Sequence, residues 1–148
     1  DLVLVRGIQR CCLQASLPRS LNRHQRRESF RVRVSHSGGP VVRLCHPDRR
    51  DEQLLLRVLD ISIGGCSLLV PPPLPRLPSG TQLKGAKLEL SPGTRFSANL
   101  IVHSLLPAAT APDYRLGCEW QALDGVAQRI LQRYIDDAQR RRRPARSG

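Results

Sequence analysis

Lysine, aromatic residues and long apolar runs are scarce in this chain, and each shortage removes a class of protein. Only Lys84 and Lys87 are lysines among 24 basic residues, so the formal charge of +12 rests almost wholly on arginine. Acidic residues are absent from Leu2 to Arg27. Such a chain seeks anions, whether nucleotide, nucleic acid, acidic protein or membrane surface. Five aromatics, Phe30, Phe96, Tyr114, Trp120 and Tyr134, all fall on faces that the apolar pattern turns inward, leaving few platforms on which unstacked bases could lie. A basic module that neutralises phosphates of any nucleic acid stays open as an alternative. No apolar run approaches the roughly 20 residues of a membrane span, and no signal-peptide pattern is visible.

Catalytic and metal-binding signatures are lacking as well. There is no carboxylate dyad, no Gly-x-Ser-x-Gly elbow and no phosphate-cradling GxxxxGK loop. Ser62 has no triad partners, and His24, His36, His46 and His103 are scattered over turns and a strand. Cysteines at 11, 12, 45, 66 and 118 form neither a CxxC nor a spaced Cys/His ladder. The expectation is a noncatalytic, metal-free protein with reduced cytosolic thiols. Cys66 and Cys118 fall in expected strands, where each acts as a small buried hydrophobe.

What is present is short strands. A chain of 148 residues is ordinarily one domain that buries about two-thirds of its unfolded surface. Phe30-Arg31-Val32-Arg33-Val34 alternates strictly, placing Phe30, Val32 and Val34 on an inner face and Arg31 and Arg33 outside. After a Ser37–Pro40 turn, 41–45 reads as its hairpin partner, 54–59 as a strand delivering Asp60, and 66–70 as the return. Five prolines between Pro71 and Gly80 demand a surface loop. Residues 81–90 and 94–105 form a hairpin around Ser91-Pro92-Gly93, with Phe96, Ala98, Leu100 and Val102 inward. Tyr114, Leu116, Cys118 and Trp120 line the inside of the last strand, and Asp124 then caps a helix whose apolar stripe is Val126, Ile130, Tyr134 and Ala138. Short antiparallel strands at this spacing suggest an all-β sandwich or barrel, followed by a C-terminal α-helix, rather than parallel αβ units. The arginine run from Arg140 to Arg143, with Arg146, reads as a solvated end or as a contact for an acidic partner.

Two stretches carry chemistry: Arg26-Arg27-Glu28-Ser29-Phe30-Arg31 and Asp60-Ile61-Ser62-Ile63-Gly64-Gly65. A guanidinium is a planar, permanently charged fork that matches both a phosphate and the O6/N7 edge of guanine. Asp60 offers acceptors that take guanine N–H donors or hold an arginine in position, and Ser62 adds a hydroxyl. Gly65 permits a turn with φ > 0 and close backbone approach. The simpler account is a polar turn beside a solvated basic linker. In so arginine-rich a chain about three RxxxR pairs are expected by chance, and six occur. The DxSxxG pattern, expected in about one such chain in twenty, carries most of the weight.

These residues resemble the PilZ domain, the cyclic di-GMP receptor module, whose signatures RxxxR and [D/N]xSxxG are met at Arg27, Arg31, Asp60, Ser62 and Gly65. The flanks agree: Gln25-Arg26-Arg27, Gly65-Cys66 and Arg115-Leu116-Gly117-Cys118-Glu119-Trp120. The resemblance spans about residues 24–135 and implies an all-β fold, a six- or seven-stranded antiparallel β-barrel of PilZ type with a C-terminal α-helix. It is nearest to the C-terminal domain of YcgR-type flagellar brake proteins, in which a segment like Leu17–His24 bridges to an upstream barrel. It implies cyclic di-GMP as ligand, bound by Arg26, Arg27, Arg31, Asp60, Ser62 and Gly65, with Arg26 favouring an intercalated dimer of the nucleotide. Arg33 and Arg115 only enlarge the positive field. The implied output is control of motility from the cytoplasm or flagellar basal body, through an upstream domain and a motor protein. Regulation of an exopolysaccharide synthase, or a degenerate scaffold that binds protein alone, are the alternatives. The chain begins at Asp1 without methionine, and the expected division is an upstream tail or extra strand over 1–17, a basic linker over 18–29, the barrel over 30–122, the helix over 123–143 and a disordered end over 144–148.

Overall fold

The computed structural model of the chain describes residues 2–6, 11–15, 29–34, 38–73 and 76–142, the first two stretches by backbone alone. Strands β1 (Leu2–Arg6) and β2 (Cys11–Ala15) pair antiparallel in a sheet of their own. The remaining strands are β3 (Val32–Arg33), β4 (Val41–Cys45), β5 (Gln53–Ile61), β6 (Gly65–Val70), β7 (Gln82–Ser91), β8 (Thr94–Pro107) and β9 (Tyr114–Gln121). All pair antiparallel in the order β3-β5-β4-β7-β8-β9-β6, and a β5–β6 pairing closes six of them into a barrel. Helix α1 (Gly125–Arg142) follows.

Alternation builds these strands. In β4, Val42 and Leu44 are buried while Arg43 and Cys45 face solvent. β7 buries Leu83, Ala86, Leu88 and Leu90, and β8 buries Phe96, Ala98, Leu100 and Val102. These side chains meet Leu56, Ile61, Leu68 and Leu116 in one core, where full burial of each large aliphatic contributes about 1.5–3 kcal/mol. Phe96 and Trp120 pack edge to face with centroids 5.9 Å apart. At the β7–β8 turn, Gly93 takes φ 82°, a conformation that costs a side-chain-bearing residue energy.

Two expectations fail at the start of the barrel. β3 is only two residues long and pairs with β5 through Val32↔Ile61 and Arg33↔Asp60, not with β4. Both edges of β4 are already taken, by residues 53–57 of β5 and by β7, so β3 occupies the remainder of the same β5 edge. Phe30 therefore lies outside the ladder and is 45% exposed, where alternation placed it inward.

The helix starts where expected: Asp124 Oδ1 accepts from Ala127 N at 2.7 Å. Its apolar face is rotated by one position. Ala127, Leu131 and Ile135 are buried, while Ile130, Tyr134 and Ala138 only flank them and Val126 is 57% exposed. A 3.6-residue period makes 127/131/135 and 130/134/138 neighbouring rows of one broad stripe, of which the expected row is the edge.

Candidate functional site

Asp60 is positioned by a β-bulge. Along β5, Leu56 and Val58 point into the core, and unbroken alternation would put Asp60 there too. In the pairing with β6, Val58 meets Leu68 but Asp60 meets Ser67, so Leu59 is an extra residue and the register shifts. The bulge turns Asp60 to the outer face and returns Ile61 to the core.

There Asp60 is buried, because its neighbours cover it. Ser67 Oγ donates to Oδ1 at 3.2 Å, Arg31 Nη1 lies 3.7 Å from the same oxygen, and Arg115 Nη2 donates to Oδ2. Arg115 also donates to Ser67 Oγ at 3.1 Å. A buried carboxylate without such partners would be costly, so this network is what allows the charge to remain. Two guanidiniums against one carboxylate leave an excess of positive charge. Arg31 and Arg115 are each 41% exposed and keep N–H groups facing solvent, with which an anion or the acceptor edge of guanine could pair. Of the two roles open to Asp60, the arrangement realises the second: it holds arginines in position.

Ser62 closes the following turn and is likewise buried. Its N–H donates to Gly65 O at 2.8 Å, its Oγ donates to the same oxygen at 3.4 Å, and its Oγ accepts from Gly64 N at 3.3 Å. Trp120 Nε1 anchors the turn from below by donating to Ser62 O at 3.0 Å. Gly65 is not in the left-handed region, contrary to expectation. Its requirement is close approach: a Cβ there would sit 2.1 Å from the Cys118 carbonyl oxygen. Ser29 runs alongside, its Oγ 3.8 Å from where a Gly64 Cβ would be. The two signature stretches thus meet in space at Ser29, Arg31, Asp60 and the 62–65 turn. Arg26 and Arg27 lie outside the described residues.

Arg115 and Ser67 were missed. Sequence pattern alone gives Arg115 to the general field, yet it touches Asp60 across 55 residues of sequence. The available signal was parity: Arg115 faces opposite to buried Leu116, and Ser67 interrupts an otherwise apolar strand. Of the four histidines, His46 and His103 build local structure, and His24 and His36 lie outside the described residues. His46 Nδ1 accepts from Asp48 N and Arg49 N, each at 3.1 Å, and His103 pairs with Glu119 across β8 and β9. Among the described residues no His, Cys, Asp or Glu cluster could hold a metal ion, and no helix is long and apolar enough to cross a membrane.

The PilZ domain model matches residues 25–137, which include both signatures. The chain belongs to the PilZ domain family. Among curated relatives this PilZ chain is 45% identical over 144 residues to the flagellar brake protein YcgR of Methylibium petroleiphilum, covering 97% of this chain and 63% of the relative. It is 45% identical over 143 residues to the flagellar brake protein YcgR of Leptothrix cholodnii, covering 96% and 57%. The PilZ chain therefore spans about three-fifths of the length of these relatives. YcgR from Escherichia coli, solved in complex with c-di-GMP, has the same fold, with a TM-score of 0.68 at 21% identity over 95% of this chain and 58% of that one.

Proposed function

We propose that this PilZ domain is a noncatalytic cyclic di-GMP receptor that regulates motility as part of a flagellar brake protein, working in the cytoplasm or at the flagellar basal body. The observation that carries the reading is the convergence of Arg31 and Arg115 on Asp60 beside the Ser62–Gly65 turn. A bis-phosphate with two guanines presents anionic oxygens and acceptor edges, which is what half-exposed guanidiniums held by a buried carboxylate can grip. Arg26 and Arg27 complete the grip from the preceding segment, and Arg26 favours an intercalated nucleotide dimer. The flagellar brake names of the relatives support the output.

In this reading residues 1–17, whose strands β1 and β2 pair apart from the barrel sheet, belong to an upstream domain, and 18–29 are a linker carrying the first ligand motif. Ligand orders 18–29 against the barrel and thereby changes how the upstream domain and a motor protein dock. Amide relaxation of 18–29 left unchanged at saturating nucleotide would overturn that mechanism.

Titration calorimetry with cyclic di-GMP tests the receptor reading itself. Arg27→Ala and Asp60→Ala should each weaken binding by about 1–3 kcal/mol, the scale of one bidentate arginine contact. Arg95→Ala, whose guanidinium pairs with Glu89 on β7, should bind as wild type. Binding should persist at raised salt and resist competition by DNA. No heat at a large excess of nucleotide, or displacement by any nucleic acid, would sink the proposal.

A further inference from the structure

A groove of about 740 Å³ lies between α1, β3, the 38–40 turn and the β7–β8 turn, and none of Arg31, Asp60, Ser62, Gly65, Ser67 or Arg115 lines it. Five guanidiniums, those of Arg33, Arg129, Arg133, Arg141 and Arg142, face a single carboxylate, Asp137, among its described lining residues. Two of the five are engaged with backbone: Arg142 donates to Arg33 O at 2.8 Å and Arg141 Nε to Asp137 O at 3.3 Å. Arg129 and Arg133 are exposed, one helical turn apart, and make no ion pair or hydrogen bond among the described residues. The same wall is apolar between them. Val126 is 57% exposed, and Ile130, Tyr134 and Ala138 are only partly covered by the core.

Charge and shape together narrow the occupant. The surplus of guanidinium calls for carboxylates or phosphates. A nucleic acid would satisfy the charge but leave Val126 and Ile130 wet, and Tyr134 is the lone aromatic of the lining. A concave groove does not suit the plane of a bilayer. The chain's own residues from Leu2 to Arg27 contain no acid and would set positive charge against positive charge. We infer that the α1–β3 groove docks an acidic, amphipathic segment of a partner protein, its carboxylates on Arg129 and Arg133 and its apolar side chains over Val126 and Ile130. Groove-sized pockets of this kind hold a few side chains, with polar contacts setting orientation. The inference rests on the groove alone and stands apart from the nucleotide reading.

The test is selection of a random peptide library displayed on phage against the purified protein, followed by binding of the enriched peptides to variants. Enriched sequences should combine Asp or Glu with Leu or Phe. They should bind roughly tenfold or more weakly to Arg129→Glu/Arg133→Glu and to Val126→Asp, and normally to Lys84→Glu, which lies toward the other end of β7 and does not line the groove. Val126 is exposed, so Val126→Asp is expected to fold, which thermal unfolding checks. Amide shifts on peptide binding should map to α1 and β3. Any of four results overturns the inference: no enrichment, neutral or basic winners, acidic peptides indifferent to Val126→Asp, or shifts confined to other faces.

Discussion

Asp60 sits between two guanidiniums and a hydroxyl, and removing its carboxylate affects the three unequally. Arg31 and Arg115 are 41% exposed and can turn to water, whereas Ser67 is buried and loses its acceptor. Asp60→Ala should therefore cost only about 1–3 kcal/mol in urea unfolding, well short of the loss expected when a fully buried ion pair is broken. Gly65→Ala meets the Cys118 carbonyl at 2.1 Å, and backbone on both sides has little room to give. A loss of about 1–3 kcal/mol is expected, and a wild-type urea midpoint would show that the strand can shift after all. The same neighbourhood holds the Cys66 thiol, which burial and then the nearby Cys118 and Asp60 charges push up from its ordinary range. Cys66 and Cys118 should resist iodoacetamide in the folded protein while exposed Cys45 reacts, as peptide mapping by mass spectrometry can read.

Within α1 the decisive fact is phase. Leu131→Ala should cost about 2–5 kcal/mol, because its side chain is fully buried, whereas Val126→Ala should stay within about 0.5 kcal/mol. Equal losses at the two positions would restore the stripe read from the sequence. Asp124→Ala should cost about 1 kcal/mol through the lost cap to Ala127 N. The helix, its cap and strands β4 to β9 were legible because each is encoded by a local period and ended by a local turn. Helix phase was not, since two adjacent apolar rows satisfy the same period. Nor was the partner of β3, since strand order depends on which edges remain free.

Alkaline stability is a property of the closed barrel. Cys66 and Cys118 face each other across β6 and β9, and burial pushes the Cys118 thiol up from about 9 to about 12. Between those values the folded chain keeps a proton that the unfolded chain has released. Stability is therefore intact below about pH 9 and falls as pH rises toward about 12. Denaturant unfolding across that window should show the decline, and Cys118→Ala should lessen it, Cys66 keeping its share. A slope unchanged in the variant would assign the decline to other groups.

Residue order alone settled the alternation, the helical period and the presence of both signatures, because each is written in spacings of a few positions. Folding decided the rest of the site. One extra residue at Leu59 reverses strand parity and brings Asp60 out, and the pairing of β6 with both β5 and β9 brings Arg115 to it from 55 positions away. No local pattern encodes either event. A bulge costs one residue anywhere along a strand, and an ion pair between distant segments exists only once the ladder between them has closed.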